Sequence, residues 1–202
     1  MISSPRTPKD LLWQTAALQR GYLTSAQALE AGYSYQAQHF HLQRGNWLRV
    51  DRGVHRLKEF ELLPAEGDED LVRWSLWSQG QAVVSHATAL AVHDLGIANP
   101  EHLHFTVPPG FRRRTGELVL HRTPLDEQDI EQRTGYRVTK PVRAVVESAA
   151  AAVAQDVIDS AVADLLDRGL GTRRQLLHQA ALLGPRAELG TERALQEIEH
   201  SK

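Results

Sequence analysis

Between Tyr35 and Arg56 the chain carries side chains suited to holding and reading a polyanion. Gln36, His39 and Gln43 share one side of a 3.6-residue repeat, and Tyr35 also faces outward. Glutamine can bond an adenine edge in the major groove, while tyrosine and histidine reach bases or phosphates. Arg49, Arg52 and Arg56 follow at strand spacing, where guanidinium groups can neutralise phosphates. Polar residues on a short helix are by themselves a solvated face. The basic segment beside them turns the reading towards nucleic acid.

These residues need elements to hold them, and the surrounding sequence supplies the signals. Thr24 stands where an N-cap belongs, ahead of Ser25–Ala31, because its hydroxyl can accept from an otherwise orphaned helical N–H. Gly32 ends that helix at little steric cost. Ser34 caps a second helix, Tyr35–Arg44, which stops at Gly45 and has Phe40 and Leu42 assigned to the core. The period then changes: Trp47–Val50 and Val54–Leu57 suit strands, with Asp51-Arg52-Gly53 as a tight hairpin turn. Two helices separated by Gly32-Tyr33-Ser34 and followed by a β-ribbon predict a winged helix-turn-helix. A first helix, residues 9–20, presents Leu11, Leu12, Thr15, Ala16 and Leu18 as an apolar face beneath it.

The charge distribution agrees. Residues 1–58 hold eight Lys/Arg against Asp10, Glu30 and Asp51, a net of +5. Residues 59–202 hold 15 basic and 22 acidic residues, a net of −7, so the chain total of −2 conceals a basic N-terminal module. Such asymmetry points to a polyanion partner for the basic part.

At this point the sequence resembles a known family. "GYLTSAQALEAG", "RGNWLRVDRGVHRL" and, further on, "VVSHATALAVHDLG" are similar to the AbiEi-type antitoxins of type IV toxin–antitoxin systems. The likeness covers most of the chain to about residue 150 and is most specific over the wing, Arg49 to Arg56. His55 departs from the tyrosine often found there. The resemblance implies an N-terminal winged-helix domain that binds double-stranded DNA at its own promoter. It also implies a C-terminal antitoxin domain that counteracts a nucleotidyltransferase-like toxin. Val138, Thr139, Pro141 and Arg143 match a "VTxPxR" segment of the family.

The predicted class is α+β: a winged helix-turn-helix over residues 1–60, then a mixed α/β domain over 68–202 with a small sheet and several helices. Lys58–Asp70 reads as a linker, and Asp68, Glu69 and Asp70 as the acidic start of a helix rather than a cation site. Helices are predicted at 69–79 and from His86 to about Leu95, the latter capped by Ser85. Two alternating segments, 102–107 and 117–122, suggest a β-hairpin or paired strands. Their connection holds Arg112, Arg113 and Arg114, and charge pattern alone leaves three roles open: a further nucleic-acid contact, a contact to an acidic partner, or a solvated tip. Further helices are predicted at roughly 141–153, 156–168 and 172–183, with Thr139 as a cap. Arg143 could bind an anion, and Glu188–Lys202 is either a last helix or a frayed tail.

Several function classes fall away. With 42% hydrophobic and 24% charged residues the chain is an ordinary globular protein. It has no cysteine, so thiolate metal sites are excluded. No apolar run is long enough to span a membrane, and the N-terminus lacks a signal-peptide core, so the cytoplasm is expected. His102, His104 and His121 form the one imidazole cluster, read as surface or strand-pairing residues rather than a metal site. None of the four lysines completes the acid-x-Lys element that a nuclease would use to hold Mg²⁺. No metal, cofactor or catalytic residue is expected. The alternatives are a nucleic-acid-processing enzyme working through its histidines, or a ligand-sensing winged-helix regulator without a toxin partner.

Overall fold

The computed structural model describes residues 7–64 and 66–200, and among them the chain is α+β. It divides into two compact units: the described residues up to Gln81 with Arg133–Tyr136, and Ala82–Gln132 with those from Arg137 onward.

In the first unit, α1 (Pro8–Ala17) starts on a capping box made by Thr7 and Asp10, with Pro8 at the first helical position where its missing N–H costs nothing. Strand β1 (Tyr22–Thr24) leads into α2 (Ser25–Glu30), where Thr24 and Gln27 form a second capping box. Helix α3 (Tyr35–Gln43) is capped by Ser34, whose Oγ accepts from Ala37 N–H at 3.2 Å. Strands β2 (Trp47–Asp51) and β3 (Val54–Leu57) form the wing, and the sheet runs β1-β3-β2, antiparallel throughout. The core collects Leu12, Ala16, Leu23, Ala28, Ala31, Trp47, Leu57 and Phe60.

Several expectations change here. Of the apolar face expected on the first helix, Leu12 and Ala16 are buried, but Leu11 and the C-cap residue Leu18 are exposed. The start of the expected linker is structured: Lys58–Leu62 is a 3₁₀ turn that drives Phe60 into the winged-helix core. Helix α4 (Glu69–Trp77), assigned to the C-terminal domain, packs on β1 and β3 and belongs to the first unit. Asp68 does stand at its start, but its carboxylate takes both Nε and Nη2 of Arg20, at 2.8 and 3.0 Å.

Phe60 sets a demand on Gly21. Gly21 has φ +85, and a Cβ there would lie 2.3 Å from Phe60 Cβ, the root of a core side chain that cannot swing away. Gly21→Ala is therefore expected to cost about 3 kcal/mol, combining left-handed strain with overpacking. Gly45, at φ +71 with nothing near its would-be Cβ, should lose only about 1–2 kcal/mol as alanine. Denaturant melts followed by tryptophan fluorescence would compare the two, and equal losses would show that the Phe60 contact is unimportant.

The second unit pairs a sheet with helices. Its five strands run β6-β5-β4-β8-β7, where β4 is Val83–Val84, β5 Leu103–Val107, β6 Leu118–Arg122, β7 Ile130–Arg133 and β8 Tyr136–Thr139. The turn joining β7 and β8 is counted with the first unit. Strands β5 and β6 are paired, but in parallel, which corrects the hairpin expectation. A parallel pair needs a crossover rather than a tight turn, and Pro108–Glu117 is that crossover. Buried Phe111 anchors it, and Arg122 donates to the carbonyls of Phe111 and Arg113 at 3.4 and 3.3 Å.

Helix α5 (His86–Val92) packs on β5 and on α6 (Pro141–Ala150). Then come α7 (Gln155–Asp167), α8 (Arg173–Leu183) and α9 (Pro185–His200). The last is a full helix, with Ala187, Thr191, Ala194 and Leu195 buried at i, i+4, i+7 and i+8 against α6, α7 and α8. Small residues let α6 and α9 approach: a Cβ on Gly190 would sit 3.0 Å from Ala149 Cβ.

Candidate nucleic-acid interface and a buried polar network

In the first unit, α3 and the wing border a concavity of about 210 Å³ lined by Tyr35, His39, Arg49, His55 and Ser25, among others. Tyr35 is 70% exposed, and His39 and Arg49 are exposed beside it. Arg49 and His55 are cross-strand partners, so they share a face of the wing. His55 itself is buried, and its Nε2 lies 2.9 Å from Ser25 Oγ. Burial, with Arg49 adding like-charge repulsion, lowers its pKa and keeps the ring neutral.

The other expected contacts divide. Gln36 and Gln43 are exposed on the outward face of α3, and Arg52 is exposed at the wing turn, where Gly53 takes φ +77. Arg56 is not part of this surface. It pairs with Leu48 and Tyr22 on the opposite face of the wing, lies 5.0 Å over the Tyr22 ring and donates to the Phe60 carbonyl at 3.3 Å.

Helix α3 reverses one expectation about polarity and adds a buried amide. Phe40, expected in the core, is 49% exposed, and the Arg44 guanidinium lies 4.8 Å over its ring. Gln38 is buried instead, and its Nε2 donates to the carbonyls of Ser25 and Tyr33 at 3.1 Å each. This amide ties α3 to the start of α2 and to the turn, giving a buried polar group the partners it requires. Spacing could have located Phe40, which stands four residues after Gln36 and three before Gln43. Nothing in the sequence marked Gln38 as a clamp.

The second unit holds a polar network that sequence reasoning missed. Glu147 on α6 is buried at 3% exposure and accepts from three groups. His86 N–H and Thr139 Oγ1 donate to its Oε1 at 2.7 and 2.6 Å, and Arg143 Nε donates to Oε2 at 3.2 Å. His86 Nδ1 also approaches, at 3.9 Å, but makes no ion pair while that ring is neutral. Arg143 also reaches Asp129 at 3.2 Å, and Gln179 of α8 donates to the same Asp129 oxygen at 2.9 Å. Burial pushes the Glu147 carboxyl up, against its hydrogen bonds from Thr139 and His86 and the charge of Arg143.

His86 has φ +54, outside the range a histidine ordinarily adopts. Its ring stacks on His121 at 3.5 Å, and His104 Nδ1 lies 3.1 Å from His121 Nε2. Burial, then the neighbouring His121 and His104, hold His86 down to about 2. Burial and His104 hold His121 down to about 4. A hydrogen bond between two imidazoles needs one bare nitrogen, so the neutral state fits the geometry. Among the described residues no group of three or more His, Asp or Glu side chains could hold a metal ion.

Three residues therefore have other roles than the sequence suggested. Ser85 makes no capping bond; its Oγ lies 2.9 Å from His86 Nδ1. Thr139 does not cap α6 but binds Glu147, and Arg143 is occupied by two carboxylates. His104 and His121, both half-buried on the paired strands β5 and β6, face one another, while His102 is exposed. Arg112 and Arg114 are exposed on the anchored crossover, with Arg113 half-buried. Arg114 and Arg122 border a shallow groove with Leu118 and Leu120. No helix of the described residues is long and apolar enough to cross a membrane.

No family model matches the chain. No curated protein matches it either. Among solved structures it is similar to the crystal structure of the Rv2827c protein from Mycobacterium tuberculosis, with a TM-score of 0.57 and 16% identity over 96% of this chain and 78% of that one. At that identity the likeness concerns the fold alone.

Proposed function

We propose that the chain is a DNA-binding regulator of the AbiEi antitoxin type. It acts on the double-stranded promoter of its own operon in the cytoplasm and counteracts a cognate nucleotidyltransferase-like toxin. One observation carries the DNA-binding part: Tyr35, His39 and Arg49 border a single concavity, with Gln36, Gln43 and Arg52 exposed next to it. A recognition helix beside a basic wing suits base contacts from the helix and phosphate contacts from the arginines. The antitoxin part rests on the sequence resemblance. On this reading the protein binds and does not catalyse, and it needs neither metal nor cofactor. An enzyme working through the histidines has less support, because His104 and His121 are engaged with each other and His86 is buried.

The test is a titration of the full chain on the DNA upstream of its own gene at two salt concentrations, against unrelated DNA. Tight, selective and salt-sensitive binding is expected. Arg49→Ala combined with Arg52→Ala should weaken it and lower the salt slope by about 2, near 0.9 for each phosphate no longer neutralised. Upstream DNA bound no better than unrelated DNA would reject the reading, and an unchanged slope in the double variant would reject the wing's part in it. Growth rescue on coexpression with the neighbouring gene tests the toxin partner separately.

A further inference from the structure

The outward face of α3 combines two glutamines with an exposed aromatic ring, and that combination has a chemical meaning in a major groove. Gln36, Phe40 and Gln43 stand at i, i+4 and i+7, hence on one stripe of the helix. Phe40 is half exposed while Gln38 of the same helix is buried, so the helix is not merely turned with its apolar side inward. Arg44 lies over one face of the Phe40 ring at 4.8 Å, and Phe40 and His41 meet edge to face at 5.7 Å. These contacts restrict the ring without covering it. A glutamine amide is matched to adenine N6 and N7, and an apolar side chain is matched to the C5-methyl group of thymine, the one apolar group that the major groove displays.

We infer that Phe40 is a specificity-determining residue that packs on thymine methyl groups, and that the chain selects A·T base pairs through Gln36, Phe40 and Gln43. The inference rests on the DNA-binding reading above and deepens it by naming the base pairs read. Arg44 keeps the ring oriented and brings a charge towards the adjoining phosphate backbone. Tyr35, at the start of the helix, is not needed for this discrimination.

The upstream DNA is prepared in two forms, one with thymidine and one with deoxyuridine throughout, which removes only the methyl groups. The full chain should bind the thymidine form more tightly, by about fourfold for each methyl group it buries. Phe40→Ala should bind both forms alike. Phe40→Leu, which keeps an apolar side chain, should retain the preference. Phe40 is exposed enough for the alanine variant to fold, and its circular dichroism and melting temperature would confirm that. Equal binding of the two forms by the unaltered chain, or a preference that survives in Phe40→Ala, overturns the inference and leaves DNA binding intact. Failure to bind either form selectively overturns the DNA-binding reading, and this inference with it.

Discussion

Glu147→Ala is expected to destabilise the protein by about 3–5 kcal/mol, the range for removing one partner of a buried charged pair. The loss is not confined to one bond. His86 N–H and Thr139 Oγ1 both donate to Glu147, and each is fully or almost fully buried. An unsatisfied buried donor costs about 1–3 kcal/mol. Arg143 would keep Asp129 but be left without its second carboxylate. These contributions share one site and do not simply add. Asp129→Ala should cost less, because Asp129 lies nearer the surface and leaves Arg143 with Glu147. All four tryptophans lie in the first unit, so helical circular dichroism in urea is the appropriate measurement. A loss below about 1 kcal/mol, the usual worth of one hydrogen bond, would show that the network does not hold the sheet to α6.

The second large effect is acid sensitivity. His86 and His121 have folded pKa values of about 2 and about 4, below the value near 6.5 that histidine has in an unfolded chain. Their contribution to stability is therefore complete above about pH 6.5 and is lost as pH falls towards the folded values. Where both are neutral in the fold and protonated when unfolded, between about pH 6 and 4, stability should fall by about 2.7 kcal/mol per pH unit. Glu147 opposes this: burial raises its pKa, so the folded state takes up that proton more readily at acid pH and the net slope is reduced. Unfolding free energies measured at pH 7, 6 and 5 would test the sign and size. His121→Phe keeps a flat ring on His86 without a titratable group, so its profile should be shallower than that of the unaltered chain. A profile flat from pH 7 to 5 in the unaltered chain would mean that the cluster is solvated and titrates normally.

The sequence by itself determined the elements whose causes are local. The caps at Thr24 and Ser34, the stops at Gly32 and Gly45 and the hairpin at Gly53 each follow from a residue acting on its own turn. The basic wing was legible for the same reason, since charge spacing is read directly from the chain. Contacts over long sequence separation were not legible. Phe60 looked like linker because its core lies across the winged helix, and α4 was placed in the wrong unit because nothing local shows that β1 and β3 receive it.

The direction of β5 against β6 depends on where Phe111 and Arg122 send the crossover, and a period of two is the same for either direction. Phe40 lies outside the core expected for it, and Gln38 is buried because an amide is tolerated where carbonyls from Ser25 and Tyr33 converge on it, and only the tertiary structure brings them there. The Glu147 network is the strongest case. Its members, His86, Thr139, Arg143 and Asp129, come from four elements or their edges, and each alone reads as a cap, a surface charge or a strand residue. Desolvation couples them, and desolvation exists only once the sheet and helices have closed around the site.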